Sequence, residues 1–223
     1  MNAKEKLYDF IENNIRPIFD APNKIGLNLI SLCQNDPTND LIIHPMSTKG
    51  FCGVILFGNK VDTIILNEGR TDTERNFDLA HEIVHKYKHR NQTSLVCGCL
   101  NDTKNGFLEW EANEGAAELL LPYKHFIPRL MEVYNQLDYT VRMEKVKDIL
   151  AQEYGVTASI IELRIKNLKF EIDQYRTGVP LDKIVLMSQN QLKNHGVHVK
   201  SLFDLENEKI MEELHRWQAR KRT

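Results

Sequence analysis

The stretch TDTERNFDLAHEIVHKYKHR, residues 71–90, constrains the fold of this chain more than any other part of it. Thr71 followed three residues later by Glu74 is a capping box, in which each side chain takes up a backbone N–H at the start of a helix. Phe77, Leu79, Ile83 and Val84 then recur at spacings that let one face pack against a sheet. A helix from about residue 72 to 89 is predicted. On it, His81 and His85 stand one turn apart, about 5–6 Å between β-carbons. Both imidazoles can then reach a single ion at about 2.0–2.1 Å. Glu82 points to the adjacent face, where it meets a water beside the ion rather than the ion itself. The plain alternative is a helix that happens to carry several of the chain's eight histidines, and the strong cap and apolar face weigh against it.

A catalytic ion needs a third protein ligand and an open position. The segment FLEWEANEGAAELLL, residues 107–121, reads as a second helix that Pro122 stops or kinks. It offers Glu109, Glu111, Glu114 and Glu118, while Ala112, Gly115, Ala116 and Ala117 permit close approach of another helix. Glu109 shares a face with Ala112, Asn113 and Ala116; Glu111 shares one with Leu108, Gly115 and Glu118; Glu114 reads as a solvated surface residue.

These two segments, TIILNEGRTDTERNFDLAHEIVHKYKH and EWEANEGAAELLLP, resemble the ImmA/IrrE family of metallopeptidases. The first is similar to that family's strand, loop and F-x-L-A-H-E-x-x-H helix with its trailing histidine, here His89. The second is similar to its E-x-E-A-N-x-x-A-A-x-L-L-x-P signature, and YGVTASIIELRIKNL resembles a shorter segment downstream. The resemblance implies an α+β fold: a zincin-like, gluzincin-type domain with a small, mainly antiparallel sheet and the H-E-x-x-H helix, followed by a small helix-turn-helix-like module. It implies zinc (Zn2+) held by His81, His85 and Glu109, with Glu82 as general base and Asn113 orienting a ligand histidine. Family members typically cleave a helix-turn-helix repressor of phage, mobile-element or stress genes, and some sit in toxin–antitoxin-like pairs. Two positions depart from the family pattern: Val84 replaces a usual Gly and is expected to narrow the space beside the ion, and Phe often stands where Glu114 or Gly115 falls. His89 and Tyr87 are the nearby groups considered for stabilising an oxyanion, without an assignment between them.

The rest of the chain bounds this reading. At 223 residues one main domain with an appendage is expected, divided here as 1–136 for the metallopeptidase-like domain, 137–175 for the helical module and 176–223 for an extension. A formal net charge of −2 favours neither nucleic acid nor an anionic membrane. The first segment reads as an amphipathic helix (Leu7, Phe10, Ile11, Ile15, Ile18) rather than a signal peptide, and no apolar run is long enough to cross a bilayer. Cys33, Cys52, Cys97 and Cys99 follow no disulfide framework, so a reduced, cytoplasmic protein is expected; Cys97 and Cys99 read as loop thiols. LIIHP, FCGVILF and VDTIILN read as strands with a tight turn at GNK, and a further strand is considered around Leu95. IGLNLISLC is apolar without a clear type, 124–137 reads as helix, KIVLM in the tail as a strand, and LENEKIMEELHRWQARK as a final helix. His44, His125, His195 and His198 read as surface or structural. Arg164, Lys166 and Lys169 form only a weak basic patch on the helix-turn-helix outline, interleaved with Glu162 and Glu171.

Two function classes follow. One is a zinc endopeptidase of narrow specificity acting on a repressor protein. The other is a non-catalytic regulator that keeps the zinc fold and binds a protein partner or DNA. The intact set His81, Glu82, His85 and Glu109 favours the first, because a retired peptidase has no use for Glu82.

Overall fold

A computed structural model describes residues 1–21, 24–47, 50–91, 97–98, 106–137 and 142–221. The chain divides into two compact units, one of Lys6–Pro122 with Ala151–Thr157, the other of Met1–Glu5, Tyr123–Leu150 and Ala158–Thr223. The architecture is α+β. The readings made on Leu95 and on the thiols of Cys97 and Cys99 lie outside the described residues.

The chain opens with α1 (Ala3–Phe10), which continues through a π-helical turn (Ile11–Ile15) and a 3-10 turn (Arg16–Phe19). The apolar segment of unclear type is a short helix, α2 (Leu29–Cys33), capped by Asn28. Strands β1 (Asn39–His44), β2 (Gly53–Leu56), β3 (Asp62–Asn67) and the two-residue β4 (Cys97–Gly98) form one sheet in the order β1-β3-β2-β4. β2 runs antiparallel to β3 and to β4, whereas β1 lies parallel to β3. The β2–β3 turn needs its glycine: a β-carbon at Gly58 would stand 2.0 Å from Val61 O. Along β3 the residues alternate, with Asp62, Ile64 and Leu66 turned inward, as expected for a sheet with one face on a core.

On that face lies α3 (Asp72–Val84), whose capping box at Thr71 and Glu74 is present in both directions. The α-helix ends at Val84 and a π-helical turn carries the chain through His85–His89. Next to α3 packs α4 (Gly106–Leu120), which buries Ala112, Ala116, Leu119 and Leu120. Asn76 clamps α2 onto α3, its Oδ1 accepting from Leu29 N at 2.8 Å and its Nδ2 donating to Leu27 O at 2.7 Å. The fully buried Arg16 donates to Leu119 O at 2.6 Å and Lys24 O at 2.7 Å, and so closes the end of α4. Burial holds its guanidinium below the usual pKa, against the opposing pull of Glu12 and Glu118.

The remaining helices are α5 (Tyr123–Gln136), α6 (Arg142–Tyr154), α7 (Ala158–Asn167), α8 (Lys169–Arg176), α9 (Gln189–Asn194) and α10 (Leu202–Lys221), with a 3-10 turn at Leu181–Lys183. Gly155, at φ 64°, makes the turn between α6 and α7 in a left-handed conformation that suits glycine. KIVLM is not a strand. Ile184 and Leu186 are buried in alternation, but side chains take the place of a neighbouring strand. Gln174 bonds both the N–H and the C=O of Val185, Glu171 accepts from Met187 N at 2.9 Å, and Lys4 Nζ reaches Met187 O at 3.2 Å. Lys4 and Glu171 are themselves a buried ion pair at 2.8 Å. Arg164 is fully buried, which removes it from the basic patch considered for DNA. Among the described residues no helix is long and apolar enough to cross a membrane.

Candidate metal centre

His81 and His85 lie on the inner side of α3 and its π turn, both buried. Their Nε2 atoms are 3.0 Å apart. From α4, Glu109 sets Oε2 3.4 Å from His81 Nε2 and Oε1 3.5 Å from His85 Nε2. Ligands held tetrahedrally at about 2.0–2.1 Å stand about 3.3 Å from one another. The separations found match that spacing, and the three residues are a group that could hold a metal ion.

The hydrogen bonds behind the rings say what kind of ligand fits. His81 Nδ1 lies 3.1 Å from Asn113 Oδ1, an acceptor, so His81 carries its proton on Nδ1 and a lone pair on Nε2. His85 Nδ1 lies 2.9 Å from His89 Nδ1, and His89 Nε2 lies 3.1 Å from Glu111 Oε2. Burial, aided by the neighbouring rings of His81 and His89, pushes the His85 pKa down to about 2, so this ring is neutral. Burial also lowers the pKa of His89, against the pull of Glu111. A neutral His89 that donates from Nε2 to a carboxylate accepts at Nδ1 from His85, which leaves His85 Nε2 with a lone pair too. Two lone pairs and a carboxylate thus face one point, a donor set that suits a divalent cation.

Glu82 is 1% exposed and follows His81 directly. Its Cγ would lie 3.5 Å from a β-carbon built on Gly53, so β2 forms the wall beside it. Val84 puts both methyl groups against Gly115 rather than into open space beside the ligands.

The four glutamates of α4 each have a distinct setting. Glu109 faces the two histidines, and Glu111 binds His89 and, at 3.2 Å, Lys88. Glu114 is not a solvated surface residue: it is buried and accepts a hydrogen bond from Tyr8 OH. Its partner comes from a helix far away in sequence, which the local pattern of α4 does not reveal. Glu118 is also buried, within the field of Arg16. Of the two groups considered for an oxyanion, His89 is fully buried and turned to His85 and Glu111. Burial pushes the Tyr87 hydroxyl up to about 12, with Asp36, Cys33 and Asp62 adding to the effect, so Tyr87 sits on the side of α2 and β3. His44, His125, His195 and His198 are exposed. The role of the His89–Glu111 pair was the part missed in the sequence; its one signal was that His85 to His89 repeats the four-residue step from His81 to His85.

An α+β unit with two helical histidines and a carboxylate from the next helix is equipped to hold a divalent metal. The Peptidase_M78 family, described as the IrrE N-terminal-like domain, matches residues 41–166, and the chain belongs to that family. A solved structure described as a Mycobacterium tuberculosis transcriptional regulator is similar at 16% identity, with a TM-score of 0.46 over 76% of this chain and 53% of that one. This chain therefore spans about half the length of that structure. No curated protein matches the sequence.

Proposed function

We propose that the chain is a zinc-dependent endopeptidase of narrow specificity that acts in the cytoplasm on a helix-turn-helix transcriptional repressor. The observation that carries the reading is the convergence of His81 Nε2, His85 Nε2 and the Glu109 carboxylate with Glu82 adjacent. Membership in the M78 family supports the peptidase class, and the resemblance to repressor-cleaving members supports the substrate class.

In this reading His81, His85 and Glu109 hold the ion and Asn113 orients His81. Zinc, when bound, supplies a Lewis acid that polarises a carbonyl and lowers the pKa of water toward about 7. The Glu82 carboxylate accepts the proton of the attacking water and passes it to the leaving amine as the peptide C–N bond breaks. Its burial keeps solvent from competing for that proton. The test is co-expression with each helix-turn-helix repressor encoded beside the gene, for the unaltered chain and for Glu82→Gln. A single cut made by the former, and none by a variant that still carries about one zinc per chain, is expected. Equal cutting by both would remove Glu82 from the mechanism, and a chain that binds no zinc would remove the metal.

A further inference from the structure

We infer that His89 and Glu111 are a positioning pair that fixes the ring and tautomer of His85, so that its Nε2 lone pair faces the metal position. The inference rests on the metal-site reading above and assigns a role to two residues outside the ligand set.

The chain of contacts runs Lys88, Glu111, His89, His85. Glu111 receives Lys88 Nζ at 3.2 Å on Oε1 and His89 Nε2 at 3.1 Å on Oε2. An ion-paired carboxylate only accepts, so His89 must donate from Nε2. Its Nδ1 then presents a lone pair to His85 Nδ1 at 2.9 Å, and His85 must donate from that nitrogen. The opposite tautomer at either ring would place two protons, or two lone pairs, against each other in this buried row. With both rings neutral, one arrangement satisfies the row from Glu111 to His85, and it leaves His85 Nε2 unprotonated beside His81 Nε2, the two lone pairs turned to the metal position.

The π-helical turn His85–His89 carries the two rings of this contact, stacked edge to face with centroids 4.9 Å apart. His85 thus differs from His81, whose Nδ1 is held by Asn113 in one step. The direct partner of His85 Nδ1 is the His89 ring, itself held by Glu111, and hydrogen-bond partners of a ligand histidine change metal affinity by about 10–100-fold.

Two measurements test it. In the metal-free chain, imidazole nitrogen NMR shifts should show His85 protonated at Nδ1 and His89 at Nε2; the opposite tautomer at either ring overturns the inference without need of a variant. Zinc affinity by competition with a chromogenic chelator should fall about 10–100-fold in His89→Leu, which offers no acceptor. His89→Gln, whose amide oxygen can accept from His85 and whose NH2 can donate to Glu111, should stay within about threefold of the unaltered chain. A folded His89→Leu that binds zinc as tightly as the unaltered chain overturns the inference, as does a His89→Gln no better than His89→Leu. If the unaltered chain binds no zinc, it is the metal-site reading that fails, while the imidazole shifts still decide the tautomers.

Discussion

Val84 and Gly115 occupy complementary halves of one space between α3 and α4: a β-carbon on Gly115 would lie 3.0 and 3.2 Å from the two methyl carbons of Val84. Both positions depart from the pattern of the family this sequence resembles, which has a small residue at the first and often a large one near the second. Side chains in a close-packed seam have no free volume to absorb a change at one position alone. Gly115→Ala should therefore destabilise the protein by about 1–3 kcal/mol through overpacking. Adding Val84→Ala should recover part of that loss. Guanidinium unfolding of the single and double variants measures the coupling; simple additivity would mean that the two do not share the space.

Metal capture should appear as stability. Zinc at about a hundred times its Kd should raise the unfolding free energy by about 2.7 kcal/mol, because only the folded chain assembles the site. In Glu109→Ala the same addition should raise it far less. A variant stabilised as much as the unaltered chain would show that Glu109 is not a ligand.

Gly53 leaves room for Glu82. A β-carbon there would touch Glu82 Cγ at 3.5 Å and Leu66 Cδ2 at 3.0 Å, so the two methyl groups of Gly53→Val must displace one or both. In the co-expression assay of the proposed function, cleavage should fall by about a hundredfold, the cost of misplacing a general base by about 1 Å, with zinc stoichiometry unchanged. Unaltered cleavage would show that Glu82 works from a position β2 does not set.

Asp62 ties the start of β3 to the π turn, accepting from Arg90 at 2.7 and 2.9 Å and from Gly58 N at 3.1 Å, with Lys86 at 3.5 Å. Burial pushes its carboxyl up, but Arg90, the Gly58 N–H and Lys86 together outweigh this and hold its pKa below the usual value. A folded pKa below the unfolded one contributes stability that is present in full above about pH 4 and is lost as pH falls through the folded value. Asp62→Asn should cost about 1–3 kcal/mol near neutral pH, and the gap from the unaltered chain should close in acid. A gap of constant size across an acid titration would refute the assignment.

Much of the unit that carries the candidate metal centre was legible in the sequence because its signals are local. The capping box, the four-residue step between His81 and His85, and the β2–β3 turn each depend on neighbours in the chain. The parallel pairing of β1 with β3 was not legible, since alternation along a strand says which face is buried and not which strand lies alongside. Glu114 was misread for a related reason: a carboxylate on a helix looks solvated until Tyr8 arrives from elsewhere. KIVLM shows the converse. Its apolar run reads as a strand, but Gln174, Glu171 and Lys4 supply the hydrogen bonds that a neighbouring strand would have given it.

His81 comes from α3, His85 from the π turn that follows it, and Glu109 from α4. The carboxylate joins the two imidazoles only when the two helices dock. In the proposed reading, a metal ion meets all three only once the seam where Val84 meets Gly115 has closed. The fit of two apolar surfaces, which begins at Val84 directly beside His85, thus sets whether the side chains of His81, His85 and Glu109 meet.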